Sequence, residues 1–233
     1  MIFFWIILYG ATYITADKLS QVLRLPDWLP ALAMLLYVGT LLLWLVRTGR
    51  SHVLGLCPCV NLTLKDTLVL LPLLAFPIYN LLSAGGFNCS FSAALLMGSV
   101  SLAEEIFFRG ALLRVFSRRG SLFGVLLTSV LFGLFHIVNL IDGADLRYTL
   151  MQMLCGFAAG LSYGAVTVKY RNILPCAAAH FLTNITGLGV TPTVASEGVP
   201  WGLWLCIAIN ACHGAWLCRQ IRCDSLKNKE IHL

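Results

Sequence analysis

Eight apolar runs, broken only by short stretches rich in charge, Gly or Pro, take up most of the chain: residues 2–16, 28–46, 67–83, 91–113, 121–141, 148–168, 173–190 and 200–218. A helix crosses the hydrocarbon core of a bilayer with about 20 residues, and lipid offers the backbone no hydrogen-bond partners, so a segment that enters it must close its own bonds. The runs therefore predict an all-α fold, a polytopic membrane bundle of about eight transmembrane helices. Of the 233 residues, 59% are hydrophobic and 11% charged, at a mean hydropathy of +0.85, far more apolar than a soluble domain requires. No length remains for a separate soluble domain. The first run opens at Met1-Ile2-Phe3-Phe4 without a basic leader or a small-residue cleavage site and reads as a retained span. It is short, as are the seventh and the third, in which Pro72 and Pro77 predict a kink.

The cations fall asymmetrically. Breaks after even-numbered runs and the C-terminal tail carry Arg47, Arg50, Lys65, Arg114, Arg118, Arg119, Lys169, Arg171, Arg219, Arg222, Lys227 and Lys229, whereas breaks after odd-numbered runs carry only Lys18, Arg24 and Arg147. Short cytoplasmic loops retain positive charge, so both termini are expected in the cytoplasm. The formal charge of +6 is then a matter of topology and anionic lipid, and nucleic-acid binding is not needed to explain it. The nine cysteines lie mostly in apolar runs, as Cys155, Cys176 and Cys206 do, where a thiol is a small buried hydrophobe. Cys57-Pro58-Cys59 lacks both the spacing and the second ligand pair of a zinc site.

Three runs carry polar groups that lipid penalises. The fourth contains Glu104, Glu105 and Arg109, and each charge costs about 2.5–3.5 kcal/mol at a helix centre, which calls for partners or a wet cavity. Glu105 and Arg109 stand four apart, on one helical face, and can pair. Glu104 is turned about 100° from Glu105 and has no local counter-charge, so it reads either as part of a structural ion network or as a general base. The fifth run places Phe132 one turn before His136, and the seventh places His180 one turn before Asn184. Singly, each of these is a hydrogen-bonded core residue or an interhelical tether. Together they make a base, two imidazoles and an amide, a set that independent structural needs rarely assemble. Asn210 and His213 in the last run read as a structural pair.

In this order and setting the motifs resemble those of the CPBP family, the CAAX proteases and bacteriocin-processing enzymes also called Abi, which includes the Ras-converting CAAX prenyl protease and lysostaphin-resistance-type proteins. The family's E-E-x-x-x-R is met by Glu104, Glu105 and Arg109, its F-x-x-x-H by Phe132 and His136, and its H-x-x-x-N/D by His180 and Asn184. The likeness covers about residues 91–190. It implies a single membrane domain made of N-terminal helices (1–90), a catalytic core (91–190) and a last helix with a basic tail (191–233), with the active site inside the bundle. It further implies an intramembrane endopeptidase that uses no metal or other cofactor. By that resemblance Glu104 is the base that activates water, His136 orients the same water, and His180 and Asn184 stabilise the oxyanion, with Glu105, Arg109 and Phe132 in support.

Two other readings compete. Zinc held by Glu104, His136 and His180 would make a metalloprotease, against which stands the lack of H-E-x-x-H. A non-catalytic scaffold, immunity factor or transporter could use the same polar groups for partner contacts or proton movement, although no internal repeat is found. The expected partners are a peptide or protein substrate at the membrane, prenylated CaaX or bacteriocin-like, and the bilayer itself; no oligomeric state is specified. Short loops and the lack of a retention signal favour a prokaryotic plasma membrane over the endoplasmic reticulum. Measured from the basic ends, Glu104 and His180 lie about 10–15 Å deep and His136 about 20 Å, and the shallower pair predicts a site that opens to the cytoplasm.

Overall fold

The computed structural model describes residues 2–24, 26, 28–56, 63–84, 89–140, 143–188 and 200–230. Among them there is no strand, and each apolar run is helical: α1 (Ile2–Leu23), α2 (Trp28–Arg47), α3 (Leu64–Ser83), α4 (Phe91–Arg119), α5 (Ser121–Leu140), α6 (Leu146–Tyr170), α7 (Leu174–Gly187) and α8 (Trp201–Glu230). Six helices among the described residues, α2 to α6 and α8, are long and apolar enough to cross a membrane. Apolar side chains such as Ile7, Leu36, Leu82 and Phe91 stay exposed on the outside of the bundle, as a lipid-facing surface requires. Cys57-Pro58-Cys59 lies outside the described residues, and the described cysteines are free thiols.

Where the helices depart from the apolar runs, the cause is local. α1 continues past Asp17 and Lys18 to Leu23, so it is a helix of 22 residues, longer than its apolar run. α3 starts at a capping box in which the Thr63 hydroxyl accepts from the Asp66 amide and the Asp66 carboxylate accepts from the Thr63 amide. The expected kink is a 3-10 segment, Leu71–Leu74, with Pro72 near its start. α7 has only 14 residues, about 21 Å of helix against a hydrocarbon core of about 30 Å. It enters at Pro175, next to the Asn172 carboxamide, which accepts from the Leu174 amide at 2.8 Å. This short helix carries His180 near its middle.

In α4 the α-helix gives way at Ile106–Leu112 to π-helical bonding, directly after the two glutamates. One-turn π segments inside α-helices recur at functional sites. The widened turn is packed from outside: a Cβ on Gly110 would stand 3.1 Å from the Leu54 carbonyl, so glycine lets the 51–56 turn lie against it.

α5 and α6 are brought together by Gly156, Gly160 and Gly164, spaced four apart on α6, a small-residue stripe of the kind that lets membrane helices approach closely. A Cβ on Gly160 would lie 2.9 Å from Ser129 Cα, and one on Gly156 would lie 3.2 Å from the His136 ring. The stripe thus sets where the His136 imidazole sits. Gly160→Val is expected to push α5 off α6 and to cost about 1–3 kcal/mol by overpacking, which thermal unfolding in detergent would register as a lowered midpoint; an unchanged midpoint would mean that the helices slide apart freely. α6 and α8 are joined by a 2.6 Å hydrogen bond between the Ser162 hydroxyl and His213 Nδ1, while Asn210 donates to the Cys206 carbonyl of its own helix at 3.1 Å. Of this polar pair, His213 ties α8 to α6 and Asn210 bonds within its own helix.

Candidate active site

Glu105 and Arg109 pair as their spacing requires, with the guanidinium 3.0 Å from Glu105 Oε1 and both side chains buried. The cation lies over the Phe132 ring at 4.1 Å, with the Tyr163 ring at 5.4 Å and the Phe108 ring at 5.8 Å. Guanidinium on an aromatic face gains cation–π attraction that grows with desolvation. Phe132 is therefore more than a wall: its face takes Arg109, and it makes T-shaped contacts with the rings of His136 and His180, with centroids 5.7 and 5.5 Å away. One buried ring fixes the spacing of three functional groups.

His180 bridges the two glutamates. Its Nδ1 is 3.0 Å from Glu105 Oε1, and since a carboxylate only accepts, Nδ1 is the donor. The ring thus turns Nε2 toward Glu104, whose Oε2 stands 3.8 Å away. That is too long for a direct hydrogen bond, yet two atoms at that separation can each contact one shared oxygen at about 2.8 Å. With Nδ1–H committed to Glu105, Nε2 donates only when the ring is the imidazolium. The other oxygen of Glu104, Oε1, accepts from the Tyr9 phenol at 2.7 Å. Tyr9 comes from α1, outside every motif above.

His136 ends the α-helical part of α5 and begins its 3-10 segment, where its Nδ1 lies 3.2 Å from the Phe132 carbonyl. Nδ1 must donate there, so the neutral ring presents an Nε2 lone pair. Asn184 gives one amide hydrogen to the buried Ser101 hydroxyl at 3.0 Å and keeps a second.

Most of these groups border one cavity of about 350 Å³, within the range of ligand sites, lined by Phe132, His136, Tyr163, His180 and Asn184 together with residues of α3, α6 and α8. Glu104 does not line it; it borders an aromatic recess of about 20 Å³ with Trp5, Tyr9, Tyr37 and Phe135, and its Oε2 stands 3.8 Å from Nε2 of His180, which does line the cavity. The cavity wall runs through Asn80, Tyr148, Leu188 and Pro200, at the helix ends remote from the basic breaks. His136 lies four residues from the end of α5 at Leu140, about 6 Å along the helix.

Three partners escaped sequence reasoning. Ser101 and Tyr163 carry no charge and sit among apolar neighbours. Tyr9 had a signal, the spacing of Trp5, Tyr9 and Tyr13 four apart along one face of α1. Replacing Tyr9 by Phe removes a hydrogen bond to a charged acceptor, a contribution of about 1.5–3 kcal/mol, and is expected to lower turnover roughly tenfold with little change in KM; turnover equal to the wild type would show that the phenol does not hold Glu104. Among the described residues, no group of three His, Cys, Asp or Glu side chains converges as a metal site would require.

Residues 86–186 match the model of a protein family, the type II CAAX prenyl endopeptidases, Rce1-like. No curated protein and no solved structure matches the chain.

Proposed function

We propose that this chain, whose residues 86–186 match the Rce1-like type II CAAX prenyl endopeptidase family, hydrolyses a peptide bond of a membrane-associated substrate with a water activated by Glu104. The observation that carries the reading is the setting of the Glu104 carboxylate, with Oε1 tied to Tyr9 and Oε2 left 3.8 Å from His180 Nε2 beside the cavity.

In this mechanism a water in reach of Glu104 Oε2 also donates to the His136 Nε2 lone pair. Glu104 takes a proton as the water oxygen bonds to the scissile carbonyl carbon, and charge develops on the carbonyl oxygen. The free amide hydrogen of Asn184, and an Nε2–H of His180 when the ring carries both protons, would donate to that oxyanion. Glu104 then returns its proton to the departing amine as the carbon–nitrogen bond breaks. Glu105 and Arg109 do not touch substrate; Glu105 holds His180 and is itself held by Arg109, while the Phe132 ring packs against Arg109, His136 and His180. A buried oxyanion gains more from each donor than one in water, provided the donors are fixed beforehand.

The zinc reading and the glutamate reading differ in one cheap test. Wild-type protein in liposomes, stripped with a chelator and assayed on the peptides it cuts, is expected to retain its rate. Loss of activity that returns on adding zinc would overturn the glutamate mechanism and favour Glu104, His136 and His180 as ligands.

A further inference from the structure

Three carboxamides border the cavity among the described residues. Asn184 gives one hydrogen to Ser101 and brings the other to the reaction. Asn80 spends its amide on α7, with Nδ2 donating to the Thr183 carbonyl at 3.1 Å and to the Thr186 hydroxyl at 3.3 Å. The third is Gln152, which the reaction does not use. We propose that Gln152 and Tyr148 anchor the substrate, donating together to an acceptor oxygen of the peptide, a backbone carbonyl or the terminal carboxylate, about two to four residues from the bond that is cut. This rests on the endopeptidase reading above.

Gln152 is held on both sides. His136 opens the 3-10 segment His136–Leu140, in which residues three apart eclipse, so Asn139 projects on the same side as His136. From there Asn139 Nδ2 donates to Gln152 Oε1 at 2.7 Å, and Gln152 Nε2 donates to the Tyr148 hydroxyl, one turn earlier on α6, at 3.1 Å. With Oε1 turned to Asn139, the group that Gln152 offers to the cavity is its second Nε2 hydrogen. Tyr148, whose oxygen accepts, keeps its O–H to give. Two donors side by side suit an acceptor oxygen. The described residues that line the cavity include no Lys, Arg, Asp or Glu, and neutral donors of this kind compensate a peptide oxygen for leaving water.

The spacing along α6 sets the register. Tyr148, Met151, Gln152, Cys155, Gly156 and Ala159 border the cavity as one helical stripe. Gly156 marks the level of His136, since a Cβ there would lie 3.2 Å from that ring. Gln152 is one turn away and Tyr148 two, about 6 and 12 Å along the helix. An extended peptide advances about 3.3 Å per residue, so a strand laid along the stripe with its scissile bond at His136 brings an oxygen to the two donors a few residues on. Asn139 fixes the donors relative to His136 through a single 3-10 turn, which keeps the anchor and the reacting water in step.

The test reads affinity apart from turnover. Dye-labelled farnesyl peptides ending in a CaaX sequence are bound to the Glu104→Gln protein in nanodiscs, and to the same protein carrying Gln152→Met or Tyr148→Phe, with fluorescence anisotropy as the readout. Each added substitution is expected to weaken binding about three- to tenfold, the contribution of one hydrogen bond. A packing role alone would also loosen binding, so the peptide is altered as well: each backbone carbonyl near the cut becomes a thiocarbonyl, a poorer acceptor, or the terminal carboxylate becomes an amide. One of these changes is expected to weaken binding to the parent about three- to tenfold and to leave binding to the Gln152→Met protein unchanged. Coupling at an inner carbonyl identifies the backbone as the partner and coupling at the terminus identifies the carboxylate; either supports the anchor. Penalties equal in both proteins for every change overturn it, as do variants that bind as tightly as the parent, or a parent that binds no peptide. If Gln152→Met does not accumulate, Tyr148→Phe, which leaves the Asn139–Gln152 bond in place, carries the same comparison. Hydrolysis of the unaltered peptide by the wild type is scored separately: coupling without hydrolysis sinks the endopeptidase reading alone, and hydrolysis without coupling sinks the anchor alone.

Discussion

Glu104→Gln is expected to reduce peptide hydrolysis by about 10²–10⁴-fold, the usual contribution of a general base, while leaving the unfolding midpoint and the binding of substrate close to wild type. The argument is one of shape. The glutamine carbonyl can occupy the place of Oε1 and accept from the Tyr9 phenol, which stands 2.7 Å from that atom, so the side chain stays where it is. What is lost is a basic oxygen on the His180 side, and with it the acceptor for the proton of the attacking water. A variant that bound substrate and unfolded normally but retained its rate would remove Glu104 from the mechanism. A scaffold or immunity protein would likewise keep its biological effect in this variant, which makes the same substitution discriminate between catalytic and non-catalytic readings.

Arg109→Met has the largest expected effect on stability. Its guanidinium faces Glu105 Oε1 at 3.0 Å, with both groups buried and aromatic rings around the cation. Methionine fills much of the space but leaves the Glu105 carboxylate without its counter-charge, and breaking a buried pair by removing one partner costs about 3–5 kcal/mol. Thermal unfolding in detergent should show a large fall in midpoint, with activity lost as His180 loses the anchor that fixes Nδ1. The double variant Glu105→Leu/Arg109→Met removes both charges and should recover part of that stability while staying inactive. Equal midpoints for the single variant and the wild type would mean that Glu105 finds another partner and that the pair does not hold the site together.

The helical bundle was legible because lipid enforces it: apolar runs of spanning length with few charges have only one backbone solution, and each run is a helix. The pairing of Glu105 with Arg109, and of Phe132 with His136 along one face of α5, also followed from spacing alone. The contact of His180 with both glutamates did not, since it joins residues 75 positions apart through the placement of two separate helices. Family resemblance put His180 and Glu104 in one site, but gave no reason for Nδ1 to face Glu105 and Nε2 to face Glu104. The π segment after Glu105 has no local signature in an apolar run, and the turn packed on its Gly110 comes from a distant part of the chain. The Gly156, Gly160 and Gly164 stripe was in plain view as a repeat of small residues and was read only as part of an apolar run. The seventh run, already short at 173 to 190, gives a helix of 14 residues, Leu174–Gly187, with Pro175 at its start.

The central claim, that Glu104 drives hydrolysis, is tested most directly by mass spectrometry of peptides incubated in ¹⁸O-labelled water with the wild type and with Glu104→Gln in liposomes, the peptides including prenylated CaaX sequences. The account predicts wild-type products whose new carboxyl group carries the heavy oxygen, and none from the variant. The same labelled products from both proteins would contradict it.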